Sequence, residues 1–147
     1  MSQLKIKFKI VTPEKTVLEQ EIDQVTLPII EGEVTILPNH RSYIGALKAG
    51  EIMVKVDGTE THLAVSGGFV EFNDNKLVVL ADTAERSEEI DVARAEEAIK
   101  RAQELRQQKS ALDDLQYAKV AAAIEKEAAR LKVARRHHTR SGMSIEQ

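Results

Sequence analysis

No cysteine occurs among the 147 residues, so neither a disulfide framework nor thiolate chemistry is available, which suits a reducing compartment. Tryptophan is absent too, and aromatics make up only 3%, so any core has to be built from Ile, Val, Leu and Ala. No apolar run approaches the roughly 20 residues that span a bilayer. A formal net charge of −3 supplies no global basic field for gathering nucleic acid. Neither a signal peptide nor an Arg/Ser-rich transit segment follows Met1-Ser2-Gln3, so the chain is expected to begin here and to stay where it is made. What remains is 42% apolar and 31% charged, the proportions of a soluble protein with one medium domain or two small modules.

Proline and glycine are scarce in one half of the chain and not in the other. All three Pro (13, 28 and 38) and six of the seven Gly lie before residue 70, and after residue 87 the only one of either is Gly142. Punctuation followed by its absence predicts short strands first and long helices afterwards. The expected organisation is therefore α+β: an antiparallel β-sandwich head over 1–87, then an antiparallel two-helix hairpin tail over 88–147.

In the first half, Leu4 to Ile10 alternates apolar residues with Lys, the pattern of a half-buried strand whose wet lysines discourage edge pairing. Ile52–Val56 and Thr59–Val65 flank Asp57-Gly58, a two-residue hairpin signal because a type I′ turn needs positive φ. Phe69–Phe72 and Leu77–Leu80 flank Asn73-Asp74-Asn75, a second expected hairpin. Val17–Gln20, Gln24–Ile29 and Val34–Leu37 supply further strands. Ser66-Gly67-Gly68 lacks the residues of a phosphate-binding loop and leads into a strand, so a tight bend is its expected role.

In the second half, Ala95, Ala98, Ile99, Ala102 and Leu105 share one helix face. Tyr117, Val120, Ala121, Ile124, Ala128 and Leu131 form another, after Ser110 and Asp113 in the spacing of a helix cap. Small side chains bury little area at roughly 25 cal/mol per Å², which predicts a hairpin that packs closely but weakly. Asp91 and Arg94 are spaced for a surface pair at the start of the first helix. A basic run, Lys132, Arg135, Arg136, His137, His138 and Arg140, closes the second helix, where cations suit the dipole. His137 and His138 are adjacent and face different sides, which makes them poor joint metal ligands, and no metal site is expected.

Several motifs occur in order: Gly32-Glu33-Val34-Thr35-Ile36-Leu37-Pro38-Asn39-His40, Ser66 to Glu71, Ala81-Asp82-Thr83-Ala84-Glu85-Arg86, and Ile90-Asp91-Val92-Ala93-Arg94-Ala95. With Val11-Thr12-Pro13 and Leu47 to Gly50, this series over about residues 4–134 resembles the epsilon subunit of F-type ATP synthases, delta in mitochondria. The resemblance implies a non-catalytic rotor subunit that couples the γ subunit to the c-ring and whose mobile tail inhibits ATP hydrolysis at the α/β catalytic subunits. Peripheral attachment through the complex follows, on the cytoplasmic face of a bacterial plasma membrane or the stromal face of a thylakoid.

The same resemblance implies residue roles. Glu33 and His40 match positions facing the c-ring, although Arg41-Ser42-Tyr43 departs from the commoner sequence after that His. Lys132, Arg135 and Arg136 match a basic tail that meets the catalytic subunits. No cofactor is required, but ATP is implied as a regulatory ligand held by Glu85, Ile90, Asp91, Arg94, Lys126 and Arg130. Lys126 stands where the family has a second Arg, and Lys lacks the planar fork that grips phosphate, so weak affinity is expected. The rival readings fare worse. An ATPase needs a phosphate loop, metal carboxylates and a base, and none is present in sequence. A nucleic-acid adaptor using the basic run lacks interleaved aromatics.

Overall fold

A computed structural model describes residues 4–108 and 113–142. Ten strands come first: β1 (Ile6–Val11), β2 (Thr16–Ile22), β3 (Gln24–Ile29), β4 (Gly32–Ile36), β5 (Tyr43–Leu47), β6 (Gly50–Val56), β7 (Thr59–Val65), β8 (Gly68–Asn73), β9 (Lys76–Ala81) and β10 (Ala84–Arg86). A single 3-10 turn at Ser87–Glu89 leads to α1 (Val92–Gln107) and α2 (Asp114–Gly142). The architecture is the expected α+β arrangement of a strand-built unit followed by two helices.

The strands run in the order β10-β7-β6-β3-β5-β8-β9-β1-β2, with β4 added to β3. The sheet curls until β2 meets β6, enclosing one core between its two halves. Period-two alternation sends Ile6, Phe8 and Ile10 of β1 and Leu77 and Val79 of β9 inward, all essentially fully buried. Phe72, Ile52, Leu27 and Leu63 join them. The expectation of a purely antiparallel sandwich needs one correction: β1 and β9 pair in parallel, Phe8 beside Leu77 and Ile10 beside Val79. Curling brings the first strand back to the ninth, and a crossover of that length leaves either direction open.

Turn chemistry matches the backbone. Asp57 and Gly58 have φ of 48° and 82°, as the type I′ reading requires. The second hairpin is tighter than its three polar residues suggested: Asn73 pairs with Lys76 in the ladder, leaving Asp74 and Asn75 at φ 49° and 57°. At Gly68, φ is +133° and a Cβ would stand 2.0 Å from the Leu80 carbonyl oxygen, so the close approach of β8 and β9 requires glycine. Two strands escaped the sequence reading, β5 and β10, because neither Tyr-Ile-Gly-Ala-Leu nor Ala-Glu-Arg alternates cleanly.

The helices are capped from within. Asp91 Oδ1 accepts the Arg94 backbone N–H at 3.1 Å, so the spacing read as an ion pair is an N-cap. At α2 the cap is Asp113, one residue before the helix: its carboxylate accepts from Gln116 N–H at 2.8 Å while Gln116 Oε1 accepts from Asp113 N–H at 3.3 Å. That is a reciprocal capping box three residues later than expected. Ser110, put forward as the cap, lies outside the described residues.

Candidate functional site

Helix α2 pairs with α1 and, over its later part, also crosses the outer face of β10, β7 and β6. Register decides which side chains it meets there. Glu85 lies opposite Ala64, and Ala64 opposite Glu51, so these three form one row across the three strands. His62 sits two residues before Ala64 on the same face, opposite Met53. Leu63 and Val65 point the other way, into the core. Burial of Leu63, Ala64 and Val65 in succession is therefore the mark of a strand covered on both faces.

The helix meets this row with Arg130, Ala134 and His137. Seven residues of helix rise about 10.5 Å, and two strand spacings are about 9.6 Å, so the two repeats nearly coincide. Arg130 sits over Glu85, with Nε donating to Oε2 at 2.8 Å and Nη2 to Oε1 at 3.3 Å. Its Nη1 donates to Glu127 at 2.7 Å. Burial opposes the guanidinium charge, but hydrogen bonds to Glu85 and Glu127 more than offset it and hold the group above its ordinary pKa. In the middle, Ala64, Ile90, Val133 and Ala134 form a small apolar cluster separate from the main core, flanked by Val92.

At the far end, His137 Nε2 lies 3.1 Å from Glu51 Oε1, and His62 Nδ1 lies 2.7 Å from the same oxygen. The two imidazoles stack with centroids 3.6 Å apart. Burial holds the His137 pKa below the usual imidazole range against the pull of Glu51, and the nearby His62 and Arg136 add to the effect. Arg136 Nη1 stands 3.6 Å from Glu51 Oε2, and His138 Nε2 lies 2.7 Å from the Ser87 carbonyl.

The residues singled out from sequence divide accordingly. Glu85 and Arg130 meet directly. Ile90 is buried in the small cluster, Asp91 is a cap, the Arg94 side chain is exposed and Lys126 is half-buried. Among the described residues no bond joins the Glu85–Arg130 pair to the Asp91–Arg94 cap. Of the basic run, Arg135 pairs with Glu96 on α1 and Arg136 approaches Glu51, while Lys132 lines a groove beside α2. The Arg140 side chain lies outside the described part.

Glu33 lies near the start of β4, and His40 lies beyond its end. Glu33 lies on the α2 side, lining the same groove as Lys132 and Glu125. His40 packs edge-on against Tyr43 and Phe72, with Nδ1 2.8 Å from the Arg41 carbonyl. The apolar stripe of α2 also shifts. Ala128 is exposed and Tyr117 is 37% exposed, whereas Ala129, Val133 and Ala134 are buried. Packing on a sheet selects a face that α1 alone does not.

Another surface was missed. On the outer face of β5, β8 and β9, Ala46, Phe69 and Leu80 form a row that continues to Val11, and Ile44, Glu71 and Val78 form the next. Ile44 is 76%, Phe69 63% and Leu80 56% exposed. The signal was present in sequence: Phe69 and Leu80 stand at outward positions of alternating strands, where a wet face would carry charge. Among the described residues no helix is long and apolar enough to cross a membrane.

Comparison with known proteins gives concordant results. The family model described as the β-sandwich domain of the ATP synthase delta/epsilon chain matches residues 5–87. The ATP synthase epsilon chain of Dehalococcoides mccartyi is 47% identical over 136 residues, covering 91% of this chain and 96% of its own. That of Nitratidesulfovibrio vulgaris is 43% identical over 129 residues, covering 87% and 94%. Among solved structures, a chain of the Euglena gracilis mitochondrial ATP synthase (OSCP/F1/c-ring, rotational state 1) shares the fold. Its TM-score is 0.76 at 22% identity, covering 92% of this chain and 83% of that one.

Proposed function

The chain belongs to the ATP synthase delta/epsilon family, and from that premise we propose that it is a central-stalk rotor subunit that couples the γ shaft to the c-ring. The observation carrying this reading is the outward apolar face of Ile44, Phe69, Val78 and Leu80 with half-exposed Ala46, large apolar side chains set side by side on three strands with Glu71 among them. In the proposed assembly that face meets γ, and the His40 end of β4 points toward the c-ring. The subunit itself performs no chemistry, and it reaches the membrane only through its partners. Glu33 takes the other side, beside the tail. Replacing both Phe69 and Leu80 with Glu should weaken capture of γ at least about tenfold, as for the loss of a central anchor. Unchanged capture by a normally folded double variant would overturn the assignment.

We propose further that residues 88–147 act as a releasable brake on hydrolysis. Docked, α2 rests on Ala64 and Ile90 through Val133 and Ala134, bracketed by contacts to Glu85 and Glu51; released, it carries its exposed basic side chains Lys132, Arg135 and Arg136 to the α/β subunits. The native chain lacks Cys, so Ala64→Cys with Ala134→Cys can be oxidised without competing thiols. In assembled synthase, that locked tail should hydrolyse ATP as fast as a complex whose subunit lacks residues 88–147. No change in hydrolysis on deleting the tail would reject the brake.

Regulatory ATP at Glu85, Ile90, Asp91, Arg94, Lys126 and Arg130 is a second reading, favoured by the meeting of Glu85 with Arg130 at the head–tail joint. Polyphosphate would have to displace one of two carboxylates from Arg130, so affinity is expected to be weak. Calorimetric titration with ATP, repeated on Arg130→Ala, tests it: binding indifferent to that change removes Arg130 from the site.

A further inference from the structure

We propose that Glu51, His62 and His137 form a binding site for a divalent transition-metal ion, of the zinc class, that staples helix α2 to the sheet. Nδ1 of His62, Nε2 of His137 and a carboxylate oxygen of Glu51 lie within 4.8 Å of one another. Both ring nitrogens already converge on one point, Glu51 Oε1, at 2.7 and 3.1 Å. Zinc holds N and O ligands at about 2.0–2.2 Å in a tetrahedron, which puts neighbouring ligand atoms about 3.3 Å apart. The ligand atoms therefore stand near the required separation, but the rings are stacked only 19° from parallel, so the stack must open for both nitrogens to point at one ion in place of their N–H protons. Two imidazoles and one carboxylate suit zinc, copper or nickel better than magnesium or calcium. Water takes the fourth position.

A second observation comes from the groups behind the ligands. The other nitrogen of His62, Nε2, faces Glu60 Oε2 at 3.3 Å, so the ring is oriented by a carboxylate on the side away from the ion. That carboxylate–imidazole–metal order is the usual support of a metal-binding His. The ligand side chains are 18, 14 and 10% exposed for Glu51, His62 and His137, shielded from bulk water yet reachable from the groove that Glu51, His62 and Glu60 line. Arg136 approaches the other oxygen of Glu51, and Lys48 and Lys132 line the same groove, where Glu51 and Glu60 stand with Glu33 and Glu125 among the described acids.

Because His62 and Glu51 come from strands and His137 from α2, occupancy would favour the docked tail. That consequence rests on the releasable-brake reading; the existence of the site does not. The test is a titration of the intact chain with zinc chloride in calorimetry, and with cobalt chloride in the visible spectrum. One ion per chain and the intense absorption of tetrahedral cobalt are expected. His62→Gln and His137→Gln should each weaken binding at least about tenfold, and Glu60→Gln, which removes no ligand, by a smaller factor. Circular dichroism checks that each variant keeps its fold. Binding that is absent, or that survives both histidine changes unaltered, overturns the site. If zinc binds as described but does not alter hydrolysis by the assembled complex, the brake fails and the site stands.

Discussion

The two places where this chain buries apolar surface differ in kind. Inside the curled sheet, Phe8, Phe72, Ile6, Ile10, Leu27 and Leu63 are large, interdigitated and essentially dry. Under α2, the contact is Ala64, Ala134, Val133 and Ile90, bracketed by Glu85–Arg130 and by Glu51 with its two histidines. Each large side chain in the first set contributes about 1.5–3 kcal/mol on burial, and an alanine far less. A small apolar strip with polar brackets is specific about where the helix lies but weak in holding it there. The sheet is built to persist, and the helix is built to be placed.

This contrast can be broken most forcefully in the sheet. Phe72→Ala should cost about 3–5 kcal/mol through a cavity that surrounding strands cannot close. Urea unfolding followed by circular dichroism would show it as a lower midpoint for the strand signal. A loss below about 1 kcal/mol would mean that the core is looser than its packing indicates.

Arg130→Ala probes the strip. It leaves Glu85 and Glu127 facing each other without their shared cation, at a cost of about 1–3 kcal/mol. Hydrogen exchange should quicken along the docked part of α2, while β1, β8 and β9 exchange as before. Equal acceleration in sheet and helix would show that the two regions open as one unit.

Asp91→Ala touches the joint between them. Losing the cap on the Arg94 N–H should cost about 0.5–2 kcal/mol, confined to the first turn of α1. Amide exchange at Arg94 reads it directly, and an unchanged rate would indicate another acceptor for that N–H.

Much of this was legible along the chain because the governing interactions are local. Alternation in Leu4 to Ile10, the Asp57-Gly58 turn and the helical spacing from Ala95 to Ala102 each depend on neighbours within a few residues. Strand β5 was not legible, since Tyr43 to Leu47 carries its apolar residues on both faces: one lines the core, the other forms the exposed patch. The Ala128 position was misjudged for a related reason. Helical periodicity gives a stripe, but which edge of the stripe is buried depends on what lies beneath it.

The joint between head and tail shows the limit most clearly. Arg130 and Glu85 were each singled out, through resemblance to a family and not through any pattern that pairs them. His137 was judged against His138, its neighbour along the helix, whereas its real companions are His62 and Glu51, the latter 86 positions away. No periodicity spans that distance.

By itself, the sequence determined the class of fold, the turn types, the places where strands give way to helices and the family. Those follow from backbone preferences and from short-range alternation. Tertiary structure alone decided the parallel pairing of β1 with β9, the alignment of the outward apolar residues into adjoining rows and the row of Glu85, Ala64 and Glu51 beneath α2. These depend on strand register and on the match between seven residues of helix and two strand spacings, quantities that exist only once the chain has folded back on itself.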